Sequence, residues 1–226
     1  MINRIVTTMA EALEGIGDGA TILVGGFGNV GQPRALLEGL IERGVKDLTI
    51  VSNNAGSGGE GLAELMAHGR VRKIICSYPR SATSTVFEEL YKAGKIELEL
   101  VPQGTLAERI RAAGAGIGAF YTPTAYGTKL AEGKEVRMIA GRPHVLEYAL
   151  HADVALIEAW QADRWGNLTY RRSGRNFNPI MAMAARLTIA QAQHIVELGA
   201  LDPETIITPG IFVDRVIHVP YGDPPV

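Results

Sequence analysis

The chain has 226 residues, a formal net charge of −2, 46% hydrophobic and 20% charged residues. These values suit a soluble globular fold and exclude the dense basic surface that non-specific nucleic-acid binding needs. The single cysteine, Cys76, excludes an internal disulfide and a cysteine-based zinc cluster, which favours a reducing, cytoplasmic setting.

The stretch from Met1 to Val6 lacks the apolar core of a signal peptide. No apolar run approaches the ~20 residues that span a bilayer, so no membrane contact is expected. Thr8–Ile16 reads as a short helix, Gly17-Asp18-Gly19 as a turn and Ala20–Val24 as a buried strand. The glycine-rich run from Gly25 to Gly31 follows, then a helix over Arg34–Arg43 that stops at Gly44. Leu48-Thr49-Ile50-Val51 is β-branched and continuously apolar, as central parallel strands are. Ser52-Asn53-Asn54-Ala55-Gly56 lies at its C-terminal end, the edge where open α/β sheets bind ligands.

Leu62–His68 reads as helix, Val71–Cys76 as strand and Thr85–Ala93 as helix. Ile96–Val101 alternates apolar and charged residues, the pattern of an exposed or edge strand. Leu106–Arg111 is helical, and Gly114–Pro123 is a second glycine-rich passage. Val145–Leu150 and Val154–Glu158 are short strand candidates, and Asp163–Asn167 is a turn. Pro179–Arg186 reads as a Met/Ala-rich helix and His194–Glu197 as a late strand. Strands and helices alternate without linker or repeat. The expectation is one α/β domain over 1–226, a single open, mostly parallel sheet flanked by helices.

The run Gly26-Phe27-Gly28-Asn29-Val30-Gly31 formally matches the dinucleotide pattern G-x-G-x-x-G. A nicotinamide site also needs an acidic residue at the end of the second strand, and Val51-Ser52-Asn53-Asn54 has none. A P-loop, a G-x-S-x-G elbow and a histidine pair at metal-ligand spacing are all absent. No metal is expected. Cys76 reads as a small buried hydrophobe. The cluster Arg171-Arg172-Ser173-Gly174-Arg175 is either a solvated loop or an anchor for carboxylate or phosphate.

Gly25-Gly26-Phe27-Gly28-Asn29-Val30-Gly31-Gln32-Pro33 resembles the α-chain signature of the family I CoA-transferases: Gly-Gly-Phe, three variable residues, Gly, one variable residue, Pro. The resemblance continues through 52–56, 101–111, 114–127, 163–171, 175–179 and 208–213, nearly the whole chain. It implies a CoA-transferase-like fold and a two-half enzyme. The B half carries a glutamate in a Ser-Glu-Asn-Gly motif. That glutamate attacks an acyl-CoA, and a glutamyl-CoA thioester passes CoA to an acceptor acid. Covalent catalysis of this kind divides one hard exchange into easier steps.

This chain has no Ser-Glu-Asn-Gly, and Ser52-Asn53-Asn54-Ala55-Gly56 stands at the related place. An asparagine is no nucleophilic carboxylate, so the resemblance implies the non-nucleophilic half, inactive without its B subunit. That partnership is a heterodimer or an α2β2 assembly. Gly25, Gly26, Phe27, Gly28, Asn29, Val30 and Gly31 are the expected CoA-binding loop, offering backbone donors where an oxyanion develops. Gln103 is the expected supporting residue beside the partner's glutamate. Asn53 and Asn54 are expected near the substrate, unless they only close a turn.

Arg109, Arg111, Arg171 and Arg175 are candidates for a second substrate carboxylate. The implied donor is succinyl-CoA and the implied acceptor 3-oxoadipate, with acetoacetate as the alternative. CoA enters as a substrate, and no permanently bound cofactor is expected. A nicotinamide-dependent oxidoreductase and a non-catalytic CoA- or sugar-phosphate-binding domain are the competing readings.

Overall fold

The computed structural model describes residues 2–220, so Met1 and 221–226 of the expected domain lie outside the described residues. The first elements are β1 (Ile5–Val6) and α1 (Met9–Ala12), which the Thr8 hydroxyl caps by accepting the Glu11 N–H at 3.2 Å. There follow β2 (Thr21–Val24), α2 (Arg34–Arg43), β3 (Leu48–Val51), α3 (Leu62–Ala67), β4 (Val71–Cys76), α4 (Val86–Lys92), β5 (Glu97–Leu100) and α5 (Gln103–Gly114). The second half holds β6 (Ala119–Thr122), β7 (Val136–Ile139), β8 (Arg142–Tyr148), β9 (Ala152–Asp163), β10 (Leu168–Thr169), α6 (Asn178–Ala182), β11 (Ala185–Val196) and β12 (Arg215–His218).

The main sheet runs β1-β12-β11-β9-β2-β3-β4-β5, parallel throughout, with β10 antiparallel on β9. β5 is the edge strand that the Ile96–Val101 alternation predicts. Successive side chains of the central strands feed two cores. Ile22 and Val24 pack with Leu36, Leu40, Leu65 and Met66 under α2 and α3, whereas Leu23 packs with Leu106 and Ile110 of α5 and Met181 of α6. Both faces of β2 and β3 are thereby covered, the reason those strands are continuously apolar. Cys76 lies in the first core, where burial pushes its thiol up to about 12. It is an inert filler, as the sequence suggests.

Three readings need correction. The predicted helix over Pro179–Arg186 ends at Ala182, and Ala185 and Arg186 already belong to the twelve-residue β11. The alanine-rich composition favours helix locally, but the ladder to β9 and β12 overrides it. The short Val154–Glu158 and His194–Glu197 candidates are parts of these two long strands. Finally, β6, β8 and β7 form a separate antiparallel sheet, and the 114–123 passage contributes β6 to it.

Candidate functional site

The loop after β2 stands at the C-terminal edge of the sheet. Gly25 still donates to Leu156 O of β9 at 3.0 Å. Phe27 and Val30 then close on each other with two backbone bonds, Phe27 N to Val30 O at 3.0 Å and Val30 N to Phe27 O at 3.2 Å. Gly28 and Asn29 form the tip. Gly28 has φ +63° at the first central position, where a type II′ hairpin turn takes glycine. Among the described residues, the tip N–H groups of Gly28 and Asn29 have no intramolecular acceptor. Pro33 stands immediately before the first helical residue, Arg34, and its carbonyl receives the Leu37 N–H. The missing proline N–H thus costs nothing there.

A cavity of about 490 Å³ opens between this tip and the ends of β3 and β4. Phe27, Gly28, Asn53, Asn54, Ser77, Tyr78, Arg80 and Gln103 are among its walls. The Asn53 side chain is its fixed point. Asn53 Oδ1 accepts from Gln103 Nε2 at 2.7 Å and from Ser77 Oγ at 2.9 Å. Both bonds go to the oxygen, so Nδ2 is the edge of the amide left for a ligand. Gln103 is the first residue of α5, so the positive end of that helix also begins here.

Asn54 has a different task. Its Oδ1 accepts the Gly56 N–H at 2.7 Å, an Asx turn. That turn is tight: Gly56 has φ +83°, and a Cβ there would lie 2.5 Å from Ala63 N. Asn54 thus closes a turn and also lines the cavity, whereas the Asn53 side chain is held into it by Gln103 and Ser77.

A second cavity of about 620 Å³ lies on the other flank of the same loop, against Asn29, Val30, Gly31, Glu158, Trp160 and Arg171. The Arg171 guanidinium sits 4.6 Å from the centre of the Trp160 ring. Burial pushes the Glu158 carboxyl up to about 7, against a hydrogen bond from Gln191 Nε2 at 3.1 Å and the charge of Arg34.

The arginine candidates divide accordingly. Arg109 is committed to structure: it donates to Tyr148 O at 2.9 Å and pairs with Glu99 at 3.0 Å, tying α5 to β8 and β5. Arg111 pairs with Glu108 one turn away on the surface of α5. Neither lines either of the two cavities. Arg171 lines the second cavity, and Arg175 is an exposed residue of the adjoining turn.

Three residues that sequence reasoning passed over stand at the site. Arg80 lines the first cavity, with its Nε 3.4 Å from Glu88 Oε1. Its signal was position, four residues past the end of β4. Asn176 and Asn178 hold the glycine loop from about 150 residues away. They fall within the block 175–179 of the family resemblance, which attaches no role to them. Among the described residues, no His/Cys/Asp/Glu group could hold a metal, and no helix is long and apolar enough to cross a membrane.

Comparison with known proteins gives one consistent result. The family model described as coenzyme A transferase matches residues 6–218. The chain is 65% identical over 219 residues to the A subunit of 3-oxoadipate CoA-transferase from Pseudomonas putida, covering 97% of this chain and 95% of that protein. It is 55% identical over 207 residues to the A subunit of succinyl-CoA:3-ketoacid coenzyme A transferase from Xanthomonas campestris, covering 91% and 85%. Its fold superposes on an acyl-CoA transferase from E. coli O157:H7, solved as a thioester complex with CoA, with a TM-score of 0.83 at 21% identity. That match covers 100% of this chain and 50% of the longer one. With a glycine loop over an amide-lined cavity, and a family match over nearly its whole length, the chain belongs to the coenzyme A transferase family.

Proposed function

We propose that this chain is the A half of an enzyme that moves CoA from succinyl-CoA to 3-oxoadipate, with the nucleophilic glutamate on a B subunit. One observation carries the half-site reading. The residues lining the Asn53 cavity include amides, hydroxyls and a guanidinium, but no carboxylate, thiol or imidazole. The site is equipped to bind and polarise an acyl group and has no carboxylate of its own to attack it.

Each transfer step builds negative charge on a carbonyl oxygen as a carboxylate or the CoA thiolate adds. In sequence, the partner's glutamate displaces CoA thiolate from succinyl-CoA, and the thiolate then displaces succinate from the resulting anhydride. Addition of the acceptor carboxylate to the glutamyl-CoA thioester, again with release of thiolate, begins the same exchange in reverse. Asn53 Nδ2 and the free N–H groups at the loop tip are the donors positioned for that oxygen. Fixed donors in a water-poor site stabilise such charge without reorganising. The Gln103 and Ser77 bonds hold Asn53 in the required orientation.

The test is reconstitution. The chain alone is expected to show no CoA transfer, and activity from succinyl-CoA to 3-oxoadipate appears on co-expression with a B subunit. Full activity of the isolated chain refutes the proposal.

Arg80 supports the dicarboxylic acceptor. Beyond the carboxyl that reacts, succinyl-CoA and 3-oxoadipate each carry a free carboxylate, and acetoacetate does not. The Arg80 side chain is 75% exposed and, among the described residues, shares its charge only with Glu88. It is therefore available to a substrate carboxylate. Arg80→Gln is expected to raise KM for 3-oxoadipate about 10-fold or more, the worth of one charge-assisted hydrogen bond. The acetoacetate KM stays within about 2-fold, because that acid lacks the group Arg80 would bind. Equal effects on both acceptors remove Arg80 from the substrate site.

A further inference from the structure

The carboxamide of Asn176 makes five hydrogen bonds, and two of them go to the glycine loop. Oδ1 accepts the Gly26 N–H at 3.1 Å, and Nδ2 donates to Val30 O at 3.0 Å. The other three, from Phe177 N at 2.6 Å, from Asn178 Nδ2 at 3.5 Å and to Ser173 O at 2.8 Å, tie the same side chain to its own segment. Gly26 and Val30 bracket the Phe27–Val30 closure, so one planar group sets the width of the loop at its base. The next anchor, Asn178, is fully buried. Its Nδ2 donates to Gly31 O at 3.0 Å and to Gly174 O at 2.8 Å, and its Oδ1 accepts the Glu158 N–H of β9 at 3.1 Å. Asn178 thus fastens the end of the loop to the sheet, and Asn176 adjusts its shape above that point.

We propose that Asn176 is a positioning residue for CoA transfer: it holds the Gly26–Gly31 loop so that the tip N–H groups of Gly28 and Asn29 are presented to the acyl oxygen. The proposal rests on the transferase reading of the Asn53 cavity. The Gly26, Phe27 and Val30 N–H groups are consumed by Asn176 Oδ1, Val30 O and Phe27 O, and of the remaining donors Gly28 and Asn29 stand at the tip while Gly31 is buried at the loop's end. Their direction depends on the base of the loop, because Gly26 and Gly28 (φ +117° and +63°) impose no side-chain restraint of their own.

The experiment uses the assembled enzyme of A and B subunits. Asn176→Ala is expected to lower kcat about 30- to 100-fold, with KM for succinyl-CoA within about 3-fold, since the donors act on transition-state charge. Asn176→Asp keeps the acceptor for Gly26 and, when protonated, regains one donor for Val30 O. Its kcat relative to wild type is expected to rise at least about 5-fold between about pH 7 and about pH 4, as the carboxyl approaches half-protonation near its ordinary value of about 3.9. The same ratio for Asn176→Ala stays flat. A packing role alone predicts no such recovery.

Amide hydrogen exchange supplies a readout independent of activity. In Asn176→Ala, exchange at Gly26–Gly31 quickens by about 10-fold or more, while β2 and β9 keep their protection. Unchanged loop exchange, or kcat within about 3-fold of wild type, overturns the positioning role. If the wild-type assembly itself fails to transfer CoA, the transferase reading falls. The exchange measurement then decides by itself whether Asn176 holds the loop.

Discussion

Gly25→Ala is expected to disable the assembled enzyme and to lower the thermal midpoint of the chain by roughly 10 °C. The cause is local. A Cβ at Gly25 would overlap Asn178 Oδ1 and lie 2.7 Å from its Cγ. Asn178 has nowhere to go, because it is fully buried and holds Glu158 N, Gly31 O and Gly174 O at once. Overpacking of this kind costs about 1–3 kcal/mol, and each buried group left unpaired adds about 1–3 more. A total of about 3–5 kcal/mol corresponds to that midpoint shift in a chain of this size. Thermal unfolding by circular dichroism together with a transfer assay checks it, and an alanine variant with native midpoint and native kcat contradicts the packing. Gly28 offers the contrast. Nothing lies within 4 Å of a Cβ built there, so only its positive φ resists substitution. Gly28→Ala should cost about 1–2 kcal/mol through backbone strain.

Asn53→Asp is the second large effect, and it separates chemistry from folding. Aspartate is nearly isosteric, and its carboxylate still accepts from Gln103 Nε2 and Ser77 Oγ. What changes is the free edge, where a donor becomes a charged acceptor aimed at the oxygen that itself becomes negative. Loss of one such donor typically costs about 10²–10³ in kcat, and the added charge repulsion acts in the same direction. The expected result is a kcat at least about 100-fold lower with the thermal midpoint within about 4 °C of wild type. Steady-state kinetics of the assembled enzyme and a melting curve decide it. Near-native kcat for Asn53→Asp would show that Asn53 is not an oxyanion donor.

Much of the site was legible in the residues because its signals are local. A strand, a glycine run and a proline-led helix lie consecutively in 21–43, and Asn53 and Gln103 lie two and three residues past the ends of β3 and β5. Topology places all of these at the C-terminal edge of one parallel sheet, where such loops converge. Two signals misled. Arg109 looked like a ligand because arginine types do not reveal their partners, and it is spent on Glu99 and Tyr148. Asn53 and Asn54 were indistinguishable in sequence, since either amide can close a turn. Only the hydrogen bonds separate them: Asn54 closes the turn on Gly56, Asn53 is held by Gln103 and Ser77, and both line the cavity.

By itself, the sequence determined the alternating α/β plan, the strand–loop–helix at Gly25–Gly31, the edge character of β5 and the absence of a nucleophilic carboxylate after Val51. Each depends on residue type and near-neighbour spacing. The tertiary structure alone decided which distant side chains hold the loop. β9 pairs with β2 on one side and β11 on the other, and this brings Asn176 and Asn178 onto Gly26, Val30 and Gly31. Those hydrogen bonds span nearly 150 residues of chain, a distance over which no local pattern carries information about pairing. The twelve-residue β11 was decided the same way, because ladder bonds to its two neighbours outweigh the helical preference of its alanines.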